Sequence, residues 1–135
     1  MKWHINPTKL CIHNKLVFKQ WYYANGKLRC EQHFLNGEFH NPNGPAYRAW
    51  FYNGQLCREQ HFLNGKLHNA NAPAYRSWYP NGQLSDERYV LNDKFHNPNG
   101  PAYRAWCTNG QLSEERYYLN GDYYTKEQFD AILNK

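Results

Sequence analysis

Residues 68–93, HNANAPAYRSWYPNGQLSDERYVLND, decide the fold, because the same stretch recurs on either side of them. The copies at 40–65 and 96–121 keep a spacing of 28 residues, and 15 of the 26 aligned positions are identical in all three. A repeat of this length is one supersecondary unit that buries its apolar side against its neighbours. The sequence therefore predicts a linear array, in which function depends on a surface rather than on a pocket.

The turns within each unit indicate β-structure. Asn-Gly follows Trp-x-x at 53–54 and follows Leu at 64–65, and the other copies repeat the pattern with one Asn-Asp at 92–93. Asn-Gly between aromatic-rich segments favours a two-residue type I′ turn, since both positions need a positive φ. We expect an all-β fold, an antiparallel meander in a single sheet, with two strands per repeat and roughly eight to ten strands.

A two-residue turn also fixes the strand register. It places Arg48 opposite Glu59 and Trp50 opposite Cys57, with equivalents 28 residues along, and Gln20 opposite Glu31 in the first unit. Opposite charges across a strand pair, and a large ring against a small residue, both stabilise a sheet. We therefore predict structural roles for the recurring side chains Trp50, Trp78, Trp106, Arg48, Arg76, Arg104, Glu59, Glu87 and Glu115.

The second turn, at 64–65, places Leu63 opposite Lys66 and His61 opposite His68. The return strand is longer than its partner, so residues 40–45, 68–73 and 96–101, rich in Asn, Gly and Pro, should leave the sheet as loops along one rim.

The chain reads as one domain, 1–135, with different ends. Residues 1–39 form a degenerate unit and cap, 40–67, 68–95 and 96–121 are repeats, and 122–135 form a C-terminal cap. In the first unit Trp21 lies one position away from the repeat. Thr125 and Gln128 have the spacing of a capping box, and the apolar residues Phe129, Ile132 and Leu133 predict a short amphipathic helix over the last strand edge.

The amino-acid composition narrows the class of protein to which the chain can belong. The mean hydropathy of −1.01 is low, but 24 of the 135 residues are Trp, Tyr or Phe, which favours a thin β-structure packed by rings over disorder. Cys11, Cys30, Cys57 and Cys107 form no C-x-x-C pair, and free thiols are expected. The first residues lack the apolar run of a signal peptide and no stretch approaches the length of a membrane span, so we expect a soluble cytoplasmic protein.

Metal and catalytic chemistry are weakly indicated. His40, His68 and His96 recur at 28 residues, which could be a metal ladder, but the companion ligands of a closed site are missing, and cross-strand packing is favoured. No cysteine recurs between repeats, and no nucleophile elbow or phosphate loop follows a strand. We expect neither an enzyme nor a cofactor.

Several short motifs of the chain are similar to those of a known family. They are N-G-Q-L at 53–56, L-N-G-K at 63–66, N-G-P-A at 43–46, the repeated W-x-x-N-G, and the T-x-E-x-F tail at 125–129. In these motifs the chain resembles the MORN repeat variant family. The resemblance implies a MORN-like repeat sheet. It also implies an antitoxin-like protein, or a phage or giant-virus protein that inhibits a bacterial enzyme or defence protein and acts in the host cytoplasm. The glycine-rich spacing of the MORN pattern itself is not matched, so membrane recognition is not implied.

Recognition is predicted where the copies differ and face outward, because invariant positions hold the repeats together. The net charge of +5 leaves two classes of partner open. A protein partner, bound by a monomer or weak dimer, is favoured, and a nucleic acid held by Arg and Tyr on one sheet face is the alternative. The residues predicted to contact the partner are Phe51, Arg58, Tyr79, Arg88, Arg116, His68, Asn69 and Asn71.

Overall fold

A computed structural model describes residues 2–5, as backbone, and residues 15–135. Cys11 and part of the predicted N-terminal unit and cap, residues 1 and 6–14, lie outside these residues. The described chain contains strands β1 (Lys2–Ile5), β2 (Leu16–Tyr22), β3 (Leu28–Leu35), β4 (Glu38–Phe39), β5 (Tyr47–Trp50), β6 (Leu56–Gln60), β7 (Phe62–Leu63), β8 (Lys66–Leu67), β9 (Tyr75–Trp78), β10 (Leu84–Arg88), β11 (Val90–Leu91), β12 (Lys94–Phe95), β13 (Tyr103–Trp106), β14 (Leu112–Leu119) and β15 (Asp122–Tyr124), and helix α1 (Lys126–Leu133).

The long strands form one antiparallel meander. Their order is β1-β2-β3-β5-β6-β9-β10-β13-β14-β15, with β4 paired to β3, and the remaining short strands form the pairs β7-β8 and β11-β12. Each repeat adds two strands to the main sheet. The predicted fold class, an all-β repeat meander with a short C-terminal helix, is confirmed.

The predicted strand register is correct for the charges and wrong for the tryptophans. Arg48 lies opposite Glu59, as predicted, but Trp50 lies opposite Leu56 instead of Cys57. The same shift places Trp78 opposite Leu84 and Trp106 opposite Leu112. Cys57 is therefore a bulge residue without a partner across the hairpin, and Arg29, Ser85 and Ser113 occupy the same place in the other units.

The cause is the first turn, which has three residues rather than two. The amide of Gly54 donates to the carbonyl of Phe51 at 2.9 Å, and the amide of Phe51 donates to the carbonyl of Gln55 at 2.8 Å. Only Gly54 takes a positive φ, +91°, and the side chain of Asn53 accepts the Gln55 amide at 2.9 Å. A type I turn followed by a left-handed glycine shifts the pairing by one residue, and the bulge at Cys57 shifts it back before Arg48.

The second turn is the predicted type I′ turn. Asn64 and Gly65 have φ values of +52° and +79°, and Leu63 lies opposite Lys66. The amide of His68 donates to the carbonyl of His61 at 2.9 Å, which confirms that these two residues are cross-strand neighbours. These short hairpins stack on each other along the array, since Gly65 donates its amide to the carbonyl of Phe39 at 2.9 Å.

The sheet has little core in the usual sense. In the described part of the chain no large side chain is completely buried, and the fully enclosed residues of the repeats are the alanines Ala46, Ala74 and Ala102. Rings fill the space between neighbouring hairpins: Phe39 stacks on Phe62 with centroids 5.1 Å apart, and Phe95 stacks on Tyr118 at 4.9 Å. Contacts between adjacent repeats therefore carry much of the stability, as in other linear arrays.

The C-terminal helix begins with the predicted capping box. The Thr125 hydroxyl accepts the Gln128 amide at 3.2 Å, and the Gln128 side chain accepts the Thr125 amide at 3.0 Å. Phe129 is 2% exposed and packs on Tyr117 of β14 at 4.9 Å. Ile132 and Leu133 are 39% and 50% exposed, so a single ring anchors the helix instead of the full apolar stripe that the spacing indicated.

Candidate functional site: the two faces of the repeat sheet

One face of the main sheet carries a ladder of alternating charges. The residues in register across it are Gln20, Glu31, Arg48, Glu59, Arg76, Glu87, Arg104 and Glu115. Arg48 contacts both Glu59, at 3.1 Å, and Glu31, at 3.8 Å. Glu87 is 8% exposed and lies between Arg76, at 3.6 Å, and Arg104, at 3.8 Å. These arginines are paired with neighbouring carboxylates, and the structural role assigned to them stays a prediction.

The opposite face carries two rows of different character, which we call the Tyr/Arg face. The first row, in register, is Trp21, Cys30, Ala49, Arg58, Ser77, Asp86, Ala105 and Glu114. The second row, two residues along each strand, is Lys19, Gln32, Tyr47, Gln60, Tyr75, Arg88, Tyr103 and Arg116. Three of the predicted partner residues, Arg58, Arg88 and Arg116, therefore share this face.

Tyrosine rings support these arginines. The Arg88 guanidinium lies 4.3 Å from the Tyr75 ring centroid and 5.7 Å from that of Tyr103, and its Nε donates to Asp86 at 2.9 Å. Asp86 is 8% exposed and also accepts the Ser77 hydroxyl. A guanidinium held between two rings and a carboxylate is fixed in orientation before any partner arrives.

Arg116 and Arg58 lie on the same face, Arg116 on β14 near its C-terminal end and Arg58 on β6 near its middle. Arg116 lies 5.5 Å from the Tyr103 ring and pairs with Glu114. Arg58 is exposed and lies 5.8 Å from the Tyr47 ring, and it forms no salt bridge within the described residues. The positive charge of Arg58 is therefore less compensated than that of Arg116.

Tyr79 and Phe51 lie near the first turns. The Tyr79 hydroxyl donates to the carbonyl of Trp106 in the next repeat at 2.7 Å, as Tyr23 does to Trp50 at 2.6 Å. Phe51 occupies the same repeat position and has no hydroxyl to donate. Tyr79 is thus a link between repeats, in addition to any contact that its ring makes with a partner.

The loop residues predicted for recognition include two that make structural hydrogen bonds and one that is exposed. Nδ1 of His68 accepts the Asn92 amide at 3.1 Å, which joins this loop to the next repeat. Asn69 closes its own loop, donating to the carbonyl of Pro73 at 3.3 Å and accepting the Asn71 amide at 3.3 Å. The Asn71 side chain is at an exposed position on the rim. The signal for these roles was in the sequence, since Asn followed two residues later by another loop residue is typical of an Asx turn.

A depression opens on the Tyr/Arg face where the first unit meets the second. Its volume is about 340 Å³. The residues that line it are Trp21, Tyr23, Arg29, Cys30, Gln32, Tyr47, Ala49, Trp50, Phe51 and Cys57. Sequence reasoning did not identify this feature, because it treated the one-position displacement of Trp21 as decay of the repeat.

Burial affects two ionisable side chains that line the depression, Cys30 and Tyr47. Burial raises the pKa of the Cys30 thiol above its ordinary value, which keeps it protonated and makes it a poor nucleophile. Burial likewise raises the pKa of Tyr47. Within residues 15–135 no group of three or more His, Cys, Asp or Glu side chains is arranged to hold a metal ion. No helix of the described chain is long and apolar enough to span a membrane.

The comparisons with known proteins agree with the repeat architecture. Residues 19–36 and 74–92 match the family model described as MORN repeat variant. The two matches lie two repeats apart in the same phase, and each covers a main-sheet hairpin and the strand that leads to the next turn. No curated protein and no solved structure matches the chain. The similarity is to a repeat module of a family that is generally non-enzymatic.

Proposed function

We propose that this repeat sheet is a stoichiometric protein-binding module that contacts its partner through the Tyr/Arg face. The observation that carries the proposal is the contrast between the two faces. The charge ladder repeats without change, and its arginines and glutamates satisfy one another. The Tyr/Arg face changes from repeat to repeat, reading Arg58, Asp86 and Glu114 at one position and Gln60, Arg88 and Arg116 at another.

Variation on a supported surface is what recognition requires. Tyrosine and arginine dominate the energetics of protein interfaces because they bury large area and lose little conformational freedom when already held in place. Arg88 between Tyr75 and Tyr103 meets this description. We further propose that Phe51, Tyr79, His68, Asn69 and Asn71 form the adjoining rim of the interface, with the loop at 68–73.

The finer form of the proposal is an antitoxin-like or phage-encoded inhibitor that occupies a bacterial enzyme or defence protein in the cytoplasm. It is supported by the resemblance of the N-G-P-A and N-G-Q-L repeats to the MORN repeat variant family.

The test compares matched variants of the two faces. Arg88→Gln with Arg116→Gln installs the residue that stands at this position in the first two units, Gln32 and Gln60, so the fold should tolerate it. The control, Arg48→Gln with Arg76→Gln, makes the same chemical change on the charge ladder. Each protein is immobilised below its melting temperature, exposed to bacterial lysate, and cross-linked. We expect a captured protein that the Tyr/Arg variant loses and the ladder variant retains. Equal capture by both variants would contradict binding through this face.

A nucleic acid is the second candidate, favoured by one observation, the alternation of Tyr and Arg along the second row. Anisotropy of a labelled single-stranded oligonucleotide distinguishes the two. Binding that weakens linearly in the logarithm of salt concentration, with a slope set by the phosphates contacted, would support the nucleic acid. The protein-binding proposal expects no such binding at physiological salt.

A further inference from the structure

The depression at the first repeat junction exists because the first unit departs from the repeat. Trp21 lies opposite Cys30, and Cys30 lies opposite Ala49. In later repeats the positions of Trp21 and Cys30 are taken by Ala49 and Arg58, and then by Ser77 and Asp86. The one-position displacement thus moves a tryptophan onto the Tyr/Arg face, beside a small thiol where the other units carry a charge.

The result is a ring-walled depression with a small floor. The aromatic residues of this face that line it are Trp21, Tyr23, Tyr47 and Phe51, and the small residues of its floor include Cys30, Ala49 and Cys57. A volume of about 340 Å³ is at the lower end of ligand sites, which are about 300–1,000 Å³. There is room for one aromatic side chain, and walls of several rings offer the edge-to-face and offset contacts that aromatic rings prefer.

Positive charges surround this depression. The Arg29 guanidinium lies 5.6 Å from the Tyr23 ring, and the Arg58 guanidinium lies 5.8 Å from the Tyr47 ring. The nearest carboxylates in register, Glu31 and Glu59, are on the opposite face, in the charge ladder. A partner that enters here therefore meets rings at the centre and cations at the rim.

We propose that this depression binds one aromatic side chain of an acidic peptide segment from the partner protein. The inference rests on the proposed protein-binding function and names the feature that the partner must present. Few cations and a single ring-sized depression suit an aromatic residue flanked by carboxylates. A nucleic acid strand would need a longer track of stacking rings and phosphate contacts.

The test uses the full chain and a blocked peptide with one phenylalanine between glutamates. Indole N–H signals of the ¹⁵N-labelled protein are followed by NMR during titration. We expect the signal of Trp21 to shift saturably, while those of Trp78 and Trp106 stay in place as internal controls. Binding should weaken with added salt, because the rim contributes attraction between exposed charges.

Two variants test the two parts of the site. Cys30→Arg fills the floor with the residue that stands at the equivalent position 58, and should abolish the shifts. Arg58→Glu reverses one rim charge to the sign that Asp86 and Glu114 carry in later repeats, and should weaken binding about tenfold. Lys66→Glu changes the net charge by the same amount on an exposed turn, and should bind as the parent does.

Three results would overturn the inference. They are no saturable shift of Trp21, equal binding of a peptide in which glutamine replaces the glutamates, and a larger shift with single-stranded DNA than with the acidic peptide. Lysate capture that Arg88→Gln with Arg116→Gln removes, without any peptide shift at Trp21, would refute this site and leave the proposed function intact. Absence of both the lysate capture and the peptide shift at Trp21 would refute this site and the proposed function together.

Discussion

Tyr79→Phe tests whether hydroxyl links between repeats contribute to stability. The substitution removes one oxygen and keeps the ring, so the change isolates the hydrogen bond of 2.7 Å from the Tyr79 hydroxyl to the Trp106 carbonyl. Tyr79 and Trp106 are each only partly buried, so water can reach the carbonyl that loses its donor. The net loss should therefore be near the ordinary value for one hydrogen bond, about 1 kcal/mol, rather than the larger penalty of a buried orphan.

The repeat supplies a reciprocal substitution. Phe51 stands at the equivalent position, and Phe51→Tyr would place a hydroxyl near the carbonyl of Trp78, as Tyr23 does for Trp50. We expect Phe51→Tyr to stabilise the protein by a similar amount, and the double variant to unfold close to the parent.

Urea denaturation followed by tryptophan fluorescence and thermal melting followed by circular dichroism give the two measurements. A loss of about 1 kcal/mol corresponds to roughly 3–5 °C for a domain of this size. Unchanged stability of Tyr79→Phe would refute the argument, and would leave the Tyr79 hydroxyl free for a role in partner binding. Destabilisation by both single variants would show that the turn position accepts only its present residue.

The remaining predictions concern the ladder, the helix cap and pH. Glu87→Gln should lower the free energy of unfolding by about 1–2 kcal/mol in urea denaturation, because this nearly buried carboxylate pairs with two half-exposed arginines. Glu115→Gln, at the exposed end of the ladder with one arginine, should lower it by less than about 1 kcal/mol. The reverse order of the two losses would contradict the ladder. Thr125→Ala should cost about 1 kcal/mol and speed amide exchange in the helix, and unaltered exchange would show that the cap is dispensable. Burial lowers the pKa of His61 below its ordinary 6.5, so the unfolded chain binds the proton first and stability should fall as pH drops below 6.5. His61→Gln should flatten this part of the stability–pH curve, and an unchanged slope would assign it to other groups.

The sequence predicted those features that depend on period and local chemistry. The 28-residue spacing predicted the array, the Asn-Gly pairs predicted the hairpins, and Thr125 with Gln128 predicted the cap. The pairing of Arg48 with Glu59 was also predicted, although through two errors of one residue that cancel: a turn one residue longer than assumed and a bulge at Cys57. A dipeptide does not distinguish a type I′ turn from a type I turn with a left-handed glycine, because Asn-Gly suits both.

Less of the candidate site could be predicted from the sequence. Variable positions on one face could be chosen by alternation, and Arg58, Arg88 and Arg116 do share a face. Links that run from one repeat to the next, such as the Asn92 amide to His68 Nδ1, depend on how neighbouring units stack. The stacking of neighbouring units is set by backbone hydrogen bonds between their hairpins, such as the one from the Gly65 amide to the Phe39 carbonyl.

The sequence by itself determined the unit, its two hairpins and the alternating charges, because turn chemistry and strand alternation act within a few residues. Only the tertiary structure decided which side chains meet between units. Trp21 is the clearest case: a displacement of one position looks like decay in the sequence. In a strand it sends the side chain to the opposite face, where Cys30 and Ala49 leave space beside it.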